Sequence, residues 1–210
     1  MTAKHADNDH ELHPEEHPDW YHDIPFMKVL ILGSYPPHQK RWNYPFYYPN
    51  KQNHFWKILA ALDNHYTLKH YEGEAAVAER KQLMERLQTG IQNMGKTILR
   101  KGSSAQDTDI TITSYQDVMA VIHQHPGLKL IILPGFSAAS STFKTFCDYL
   151  STQDVRFTAP KKPSHGLSFE LHVAGRIITC VICTSTSPAT AERLSDKIEK
   201  FKAIYSLLET

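Results

Sequence analysis

The chain has 210 residues, of which 41% are hydrophobic and 21% charged, with a formal net charge of +1. These are the proportions of one folded globular domain with a sizeable core, and they exclude a disordered or low-complexity chain. A net charge of +1 gives no global signature of a polyanion binder. Because phosphate neutralisation depends on local charge, it does not forbid DNA either.

Residues 1–25 read as a flexible, solvated arm that is polar and carries five histidines: His5, His10, His13, His17 and His22. Histidine is a common transition-metal ligand, but the irregular spacing and the two His-Pro pairs oppose a helix that would align these rings, so no metal site and no cofactor are expected. Residues 26–210 read as a single domain. It opens with MKVLILG, a short continuous apolar run ending at Gly33, which suits a buried parallel strand. FWKILAAL has helical spacing, and a second helix is expected over 74–91, with Val77, Met84, Leu87 and Ile91 on one face.

RKGSSAQDTD reads as a polar loop, DITIT as a strand, SYQDVMAVIHQ as a helix, and LKLIILP as a buried strand ending at Pro134. GFSAASSTFKTFCDYL reads as a helix starting from a Gly and a Ser cap. LSFELHV and RIITCVIC flank Ala174-Gly175, a tight hairpin. The chain closes with a helix on which Leu194, Ile198, Phe201, Tyr205 and Leu208 share a face. Alternating strands and helices predict a three-layer α/β/α domain with a central, mostly parallel sheet, with room for an antiparallel edge.

No apolar run approaches the ~20 residues a membrane-spanning helix needs. The N-terminus lacks the apolar segment of a secretory signal, and three cysteines suit a reducing compartment, so a cytoplasmic monomer without membrane contact is expected. Cys180 and Cys183 form a CxxC, but inside a β-rich run residues three apart face opposite ways, as plain strand cysteines do. Three cysteines, with Cys147, are too few for a four-cysteine iron–sulfur cluster.

Ligands of open α/β sheets bind beyond the carboxyl ends of the strands, where this sequence has three candidate loops. They are GSYPPHQKRWNYPFYYPNKQN, LPGFS and TSTSPATA. In the first, YYPNKQNHFW combines aromatic rings, amides and a lysine immediately before a helix. That mixture suits a surface that stacks on a flat ring and hydrogen-bonds its edge. Asn53 is equally a good N-cap for the helix that follows. Lys40, Arg41 and Lys51 are phosphate contacts or members of a solvated loop. The lone His165 in KKPSHG reads as an ordinary histidine. The hydroxyls of Ser185, Thr186 and Ser187 suit either DNA phosphates or helix capping.

LILGSYPP, then YYPNKQNHFW, then TSTSPATA, in this order and spacing, resemble the uracil-DNA glycosylase superfamily. Within it they are closest to the hypoxanthine-DNA glycosylase branch, with the mismatch-specific uracil/thymine glycosylases as cousins. The closing helix and RKGSSAQDTDI also resemble that branch, and the match runs from about residue 28 to 208. The resemblance implies a monofunctional glycosylase of base-excision repair, hydrolysing the bond to a deaminated base (uracil or hypoxanthine) flipped out of DNA. A catalytically weakened DNA- or nucleotide-binding protein of the same fold is the alternative.

By that resemblance, Gly33, Ser34, Tyr35 and Asn53 are catalytic, Tyr48, Pro36 and Asn53 bind the base, and Lys51, Ser185, Thr186, Ser187, Pro188 and Ala189 bind DNA. The sequence departs from the pattern at Pro37, where the loop has glycine, and at Tyr35, where the cousins carry an asparagine that positions water. Thr184 and Thr190 replace a proline and an asparagine of the last motif.

Overall fold

A computed structural model describes residues 12–64, 66–102 and 109–209 of the chain. In chain order the elements are β1 (Leu12–Glu16), β2 (Val29–Gly33), α1 (Phe55–Leu62), α2 (Gly73–Arg86), β3 (Thr89–Asn93), β4 (Gly95–Lys101), β5 (Ile110–Tyr115), α3 (Val118–Gln124), β6 (Leu130–Pro134), α4 (Thr142–Leu150), β7 (Arg156–Phe157), β8 (Ser168–Val173), β9 (Arg176–Cys183) and α5 (Leu194–Tyr205). A six-stranded sheet has the order β3-β2-β6-β9-β8-β7, and a three-stranded sheet the order β1-β4-β5.

The central sheet is mixed rather than mostly parallel. β3, β2, β6 and β9 pair in parallel, whereas β8 lies antiparallel on β9 and β7 antiparallel on β8. The reason is local. Ala174 and Gly175 both have positive φ, 48° and 77°, the backbone of a tight two-residue hairpin that turns the chain straight back. The middle strands behave as their composition dictates: every residue of β2 and the first four of β6 are buried, so both faces are covered. α1 packs on α2 and α5, and α4 packs on β6. α3 is tied to α4 by the Met119 N–H, which donates to the Tyr149 hydroxyl at 3.0 Å.

The expected helix over 74–91 is too long. It stops at Arg86, Gln88 adopts φ +48°, and residues 89–93 become β3. Gly90 then packs against the buried Met27 side chain: a Cβ there would sit 2.2 Å from the Met27 methyl, so that side chain would have to shift for any larger residue. The helix expected from Gly135 begins later, at Thr142. β4 was not anticipated, since its alternation is broken by charged residues. Its neighbour loop, including 103–108, lies partly outside the described residues.

The solvated arm also needs correction. Residues 12–16 pair along β4 from Leu12↔Lys101 to Glu16↔Thr97, and His17, Trp20 and Ile24 are buried. The polar composition concealed this because the polar groups have partners: Arg100 Nε donates to Glu15 Oε1 at 2.8 Å and Nη2 to Glu15 Oε2 at 3.0 Å. His22 meets Glu85 at 3.0 Å. His5 and His10 lie outside the described residues. Among the described residues no cluster of three metal-ligating side chains occurs, and no helix is long and apolar enough to cross a membrane.

Candidate active site

A cleft of about 530 Å³ opens at the carboxyl ends of the parallel strands, where β2 ends at Gly33, β3 at Asn93 and β6 at Pro134. The tyrosine-rich loop after β2 forms one wall and the serine loop after β9 another. The two are stitched together behind the cleft by the His54 N–H, which donates to the Thr186 carbonyl at 3.1 Å. This is where an open α/β sheet concentrates its ligand chemistry.

The tyrosine loop is held rigidly from below. The Trp56 indole donates to the Tyr47 carbonyl at 2.8 Å, and the Trp42 indole to the Pro37 carbonyl at 2.7 Å. The Asn43 N–H donates to the Pro49 carbonyl at 3.0 Å, and the Tyr44 hydroxyl to the Tyr48 carbonyl at 2.8 Å. The buried Arg80 guanidinium lies 5.0 Å from the centre of the Tyr44 ring. This scaffold forces Tyr48 into the left-handed region, φ +48°. Such strain in a bulky residue is of order 1–3 kcal/mol and concentrates at functional sites. One face of the Tyr48 ring lies on Phe55 with centroids 3.7 Å apart and planes 9° apart, while the residue lines the cleft.

The floor is polar. The Asn93 N–H donates to Gln92 Oε1 at 2.9 Å, and that oxygen also accepts from the Tyr47 hydroxyl at 3.1 Å. Asn93 Nδ2 lies 2.9 Å from His17 Nε2. Burial lowers the His17 pKa to about 4, so the ring is neutral at ordinary pH. Tyr35 is buried beside His17, their rings edge to face at 5.5 Å, and the Arg100 guanidinium sits 5.7 Å from the Tyr35 ring centre. Burial raises the Tyr35 pKa, so its hydroxyl stays protonated and is no base. Arg100 Nη2 donates to the Pro36 carbonyl at 2.8 Å, which fixes the loop that follows β2.

The serine loop is internally capped. Ser185 Oγ accepts from the Ser187 N–H at 3.2 Å, and Ser187 Oγ from the Ala189 N–H at 3.2 Å. The wholly buried Lys197 donates its Nζ to the Ser187 carbonyl at 2.6 Å, and burial lowers its pKa. The Thr184 hydroxyl donates to Glu192 Oε2 at 2.6 Å.

No protein-family model matches the chain, and no curated protein matches it. In three dimensions it is similar to the solution structure of a Methanosarcina acetivorans protein described as a "putative Uracil DNA glycosylase". The TM-score is 0.55 at 18% identity, over 89% of this chain and 97% of that one. What the two share is the fold.

Gly33, Ser34, Tyr35, Pro36, Tyr48 and Asn53 all line the cleft. So do Ser185, Ser187, Pro188 and Ala189 on the opposite wall. Thr186 does not: it is 3% exposed, and its carbonyl is committed to His54. Lys51 also stands outside the lining residues, with its ammonium 3.0 Å from Glu72 on the surface. Arg41 lines the cleft and is the one formally charged residue among the described lining residues.

Asn53 divides its roles. Its Oδ1 accepts from the Phe55 N–H at 2.9 Å, capping α1, which leaves Nδ2 as the edge available to a ligand. Asn93 was missed by sequence reasoning: it lies just beyond the helix expected over 74–91, at the end of β3, a strand that was not anticipated. Cys180 and Cys183 are fully buried strand residues, and burial raises both pKa values, to about 12 for Cys183.

Proposed function

We propose that this chain is a monofunctional DNA glycosylase that removes uracil or hypoxanthine from DNA. The observation that carries the reading is the union of a strained, ring-presenting Tyr48 with two carboxamides, Asn53 and Asn93, in one cleft at the strand ends. An extruded base would stack on Tyr48, a contact of ~1–3 kcal/mol tolerant of base identity. The carboxamides would read its edge. The hydroxyls of Ser185 and Ser187, with Arg41, would hold the flanking phosphates, and Pro188-Ala189 would enter the gap left in the duplex.

Cleavage breaks the C1′–N bond, and its electron pair leaves with the base while positive charge develops on the sugar. Backbone N–H groups of 33–35 and the Asn53 Nδ2 are the donors that would stabilise the departing anion, as in an oxyanion hole. Water then bonds to C1′ and its proton passes to solvent or to the base, giving an abasic site and free base. Among the described residues no carboxylate lines the cleft, so leaving-group stabilisation carries the work.

That same shortage favours a second reading, a damage-binding protein that recognises but does not cleave. A duplex panel carrying uracil, hypoxanthine and xanthine, assayed for alkali-labile sites, separates the two. Abasic product supports the enzyme, while tight binding without product supports the rival.

A further inference from the structure

Asn93 lines the cleft and is only 5% exposed, and its amide is held in one orientation by a residue from the N-terminal segment. His17 is 8% exposed, packed edge to face against Trp20 at 5.4 Å and Tyr35 at 5.5 Å. Burial keeps the ring neutral, so it carries a single proton. Asn93 Nδ2 is a donor only and lies 2.9 Å from Nε2, so Nε2 accepts and the ring proton sits on Nδ1.

An amide turned over would set Oδ1 against the Nε2 lone pair, two acceptors in a buried site, which carries the full penalty of an unmade hydrogen bond. Oδ1 is consequently fixed on the side of Gly33, close enough that a Cβ at Gly33 would lie 2.3 Å from it. Both Gly33 and Asn93 line the cleft.

We infer that His17 is a specificity-determining positioning residue: by locking the Asn93 amide it presents an acceptor, and only an acceptor, to the ring of the flipped base. The ligand class that satisfies it has a ring N–H beside a carbonyl, the lactam edge of uracil, hypoxanthine and xanthine, which thymine and guanine share, so the discrimination is against cytosine and adenine. Cytosine and adenine offer a bare ring nitrogen at the same edge and would face Oδ1 with a lone pair. A site built to bond a donor rejects the analogue lacking it far more strongly than an apolar pocket rejects a change of size. This inference rests on the base-binding part of the proposed function, and it makes the segment bearing β1 a component of the site.

The test separates recognition from catalysis. Duplexes carrying 2′-fluoro-2′-deoxyuridine or 2′-fluoro-2′-deoxycytidine resist cleavage because the fluorine opposes positive charge at C1′, so binding to each is measured directly. The full chain should prefer the uracil duplex by about tenfold or more, the factor of one buried hydrogen bond to a base edge. In His17→Phe, which keeps an aromatic ring in place but removes the acceptor, the ratio should fall towards unity. A merely structural role would weaken both duplexes together and leave the ratio unchanged, which would overturn the inference.

A second measurement needs no variant. Long-range proton–nitrogen NMR of the wild-type chain should find the His17 proton on the ring nitrogen other than Nε2, and a protonated Nε2 would equally overturn it. Uracil preference without any abasic product would refute the enzymatic reading alone. Cleavage by a wild type that shows no uracil preference would refute the lock alone.

Discussion

Gly33→Ala is the sharpest perturbation the site admits. A methyl on Gly33 would lie 2.3 Å from Asn93 Oδ1 and 3.5 Å from the Tyr48 hydroxyl. Carbon and oxygen settle at roughly 3.3–3.6 Å, so about 1 Å of displacement is needed. Neither side gives way readily. The Asn93 amide is tied to His17 at 2.9 Å, and its backbone N–H to Gln92 at 2.9 Å. Gly33 is registered against Asn93 in the sheet, and its carbonyl accepts from the Met94 N–H at 2.8 Å. Overpacking of this kind costs about 1–3 kcal/mol. For a domain of this size that lowers the Tm by roughly 3–10 °C.

The functional loss should be larger than the loss of stability, because a misplacement of about 1 Å at a reacting centre is worth on the order of 100-fold in rate. Single-turnover excision from a uracil duplex, read as alkali-labile strand breaks beside a thermal melt, measures both. Adding Asn93→Ala to Gly33→Ala should return the melting temperature towards that of Asn93→Ala alone without restoring excision. A Gly33→Ala protein with wild-type melting and excision within twofold would show that Asn93 moves freely, and the preorganised floor would be refuted.

Tyr48→Ala should weaken binding to a flipped base by about 5- to 150-fold, the range of one stacking contact, and equal affinity measured by fluorescence titration would remove the ring from the site. Arg41→Ala should weaken duplex binding and lower the salt slope by about 0.9, whereas Lys51→Ala, already paired with Glu72 on the surface, should leave that slope nearly unchanged. His17, whose pKa falls from 6.5 unfolded to about 4 folded, contributes stability that is complete above pH 6.5 and lost as pH falls towards 4. The loss over that window is on the order of 3 kcal/mol, and urea titrations of His17→Phe should be flatter there than those of the wild type; parallel profiles would mean the ring is hydrated.

The parts of the molecule that the sequence made legible are those where local pattern and final environment agree. VLILG and LIILP are apolar throughout because the strands are buried on both faces, and Ala174-Gly175 lies at the turn its small residues invite. The two loops that line the cleft were equally visible, because proline, amide, serine and tyrosine gather there just beyond strand ends. What stayed hidden depends on partners far away in the chain. Arg100 is fully buried, and nothing near it in sequence announces Glu15, 85 residues earlier. His17 looks like one more exposed histidine until Asn93, 76 residues later, is found against it. Gly90 sits in a helical pattern, and its close packing against the Met27 side chain, 63 residues earlier, is visible only in the fold.

These distant partners also bear on the chemistry. The cleft has neutral amides and hydroxyls, one arginine, and among its described lining residues no carboxylate, while burial holds Tyr35 protonated. Such a site has no strong acid with which to protonate a poor leaving group. A base able to depart as a delocalised anion suits it, and a lactam base such as uracil spreads the charge over ring nitrogen and carbonyl oxygens. Cytosine and adenine, with exocyclic amines, spread it less. On the reading proposed here, the lactam edge that Asn93 Oδ1 accepts from also belongs to the bases that leave most readily unaided. Recognition and reactivity would then act in the same direction, and a protein with a modest catalytic apparatus would spare cytosine and adenine twice over.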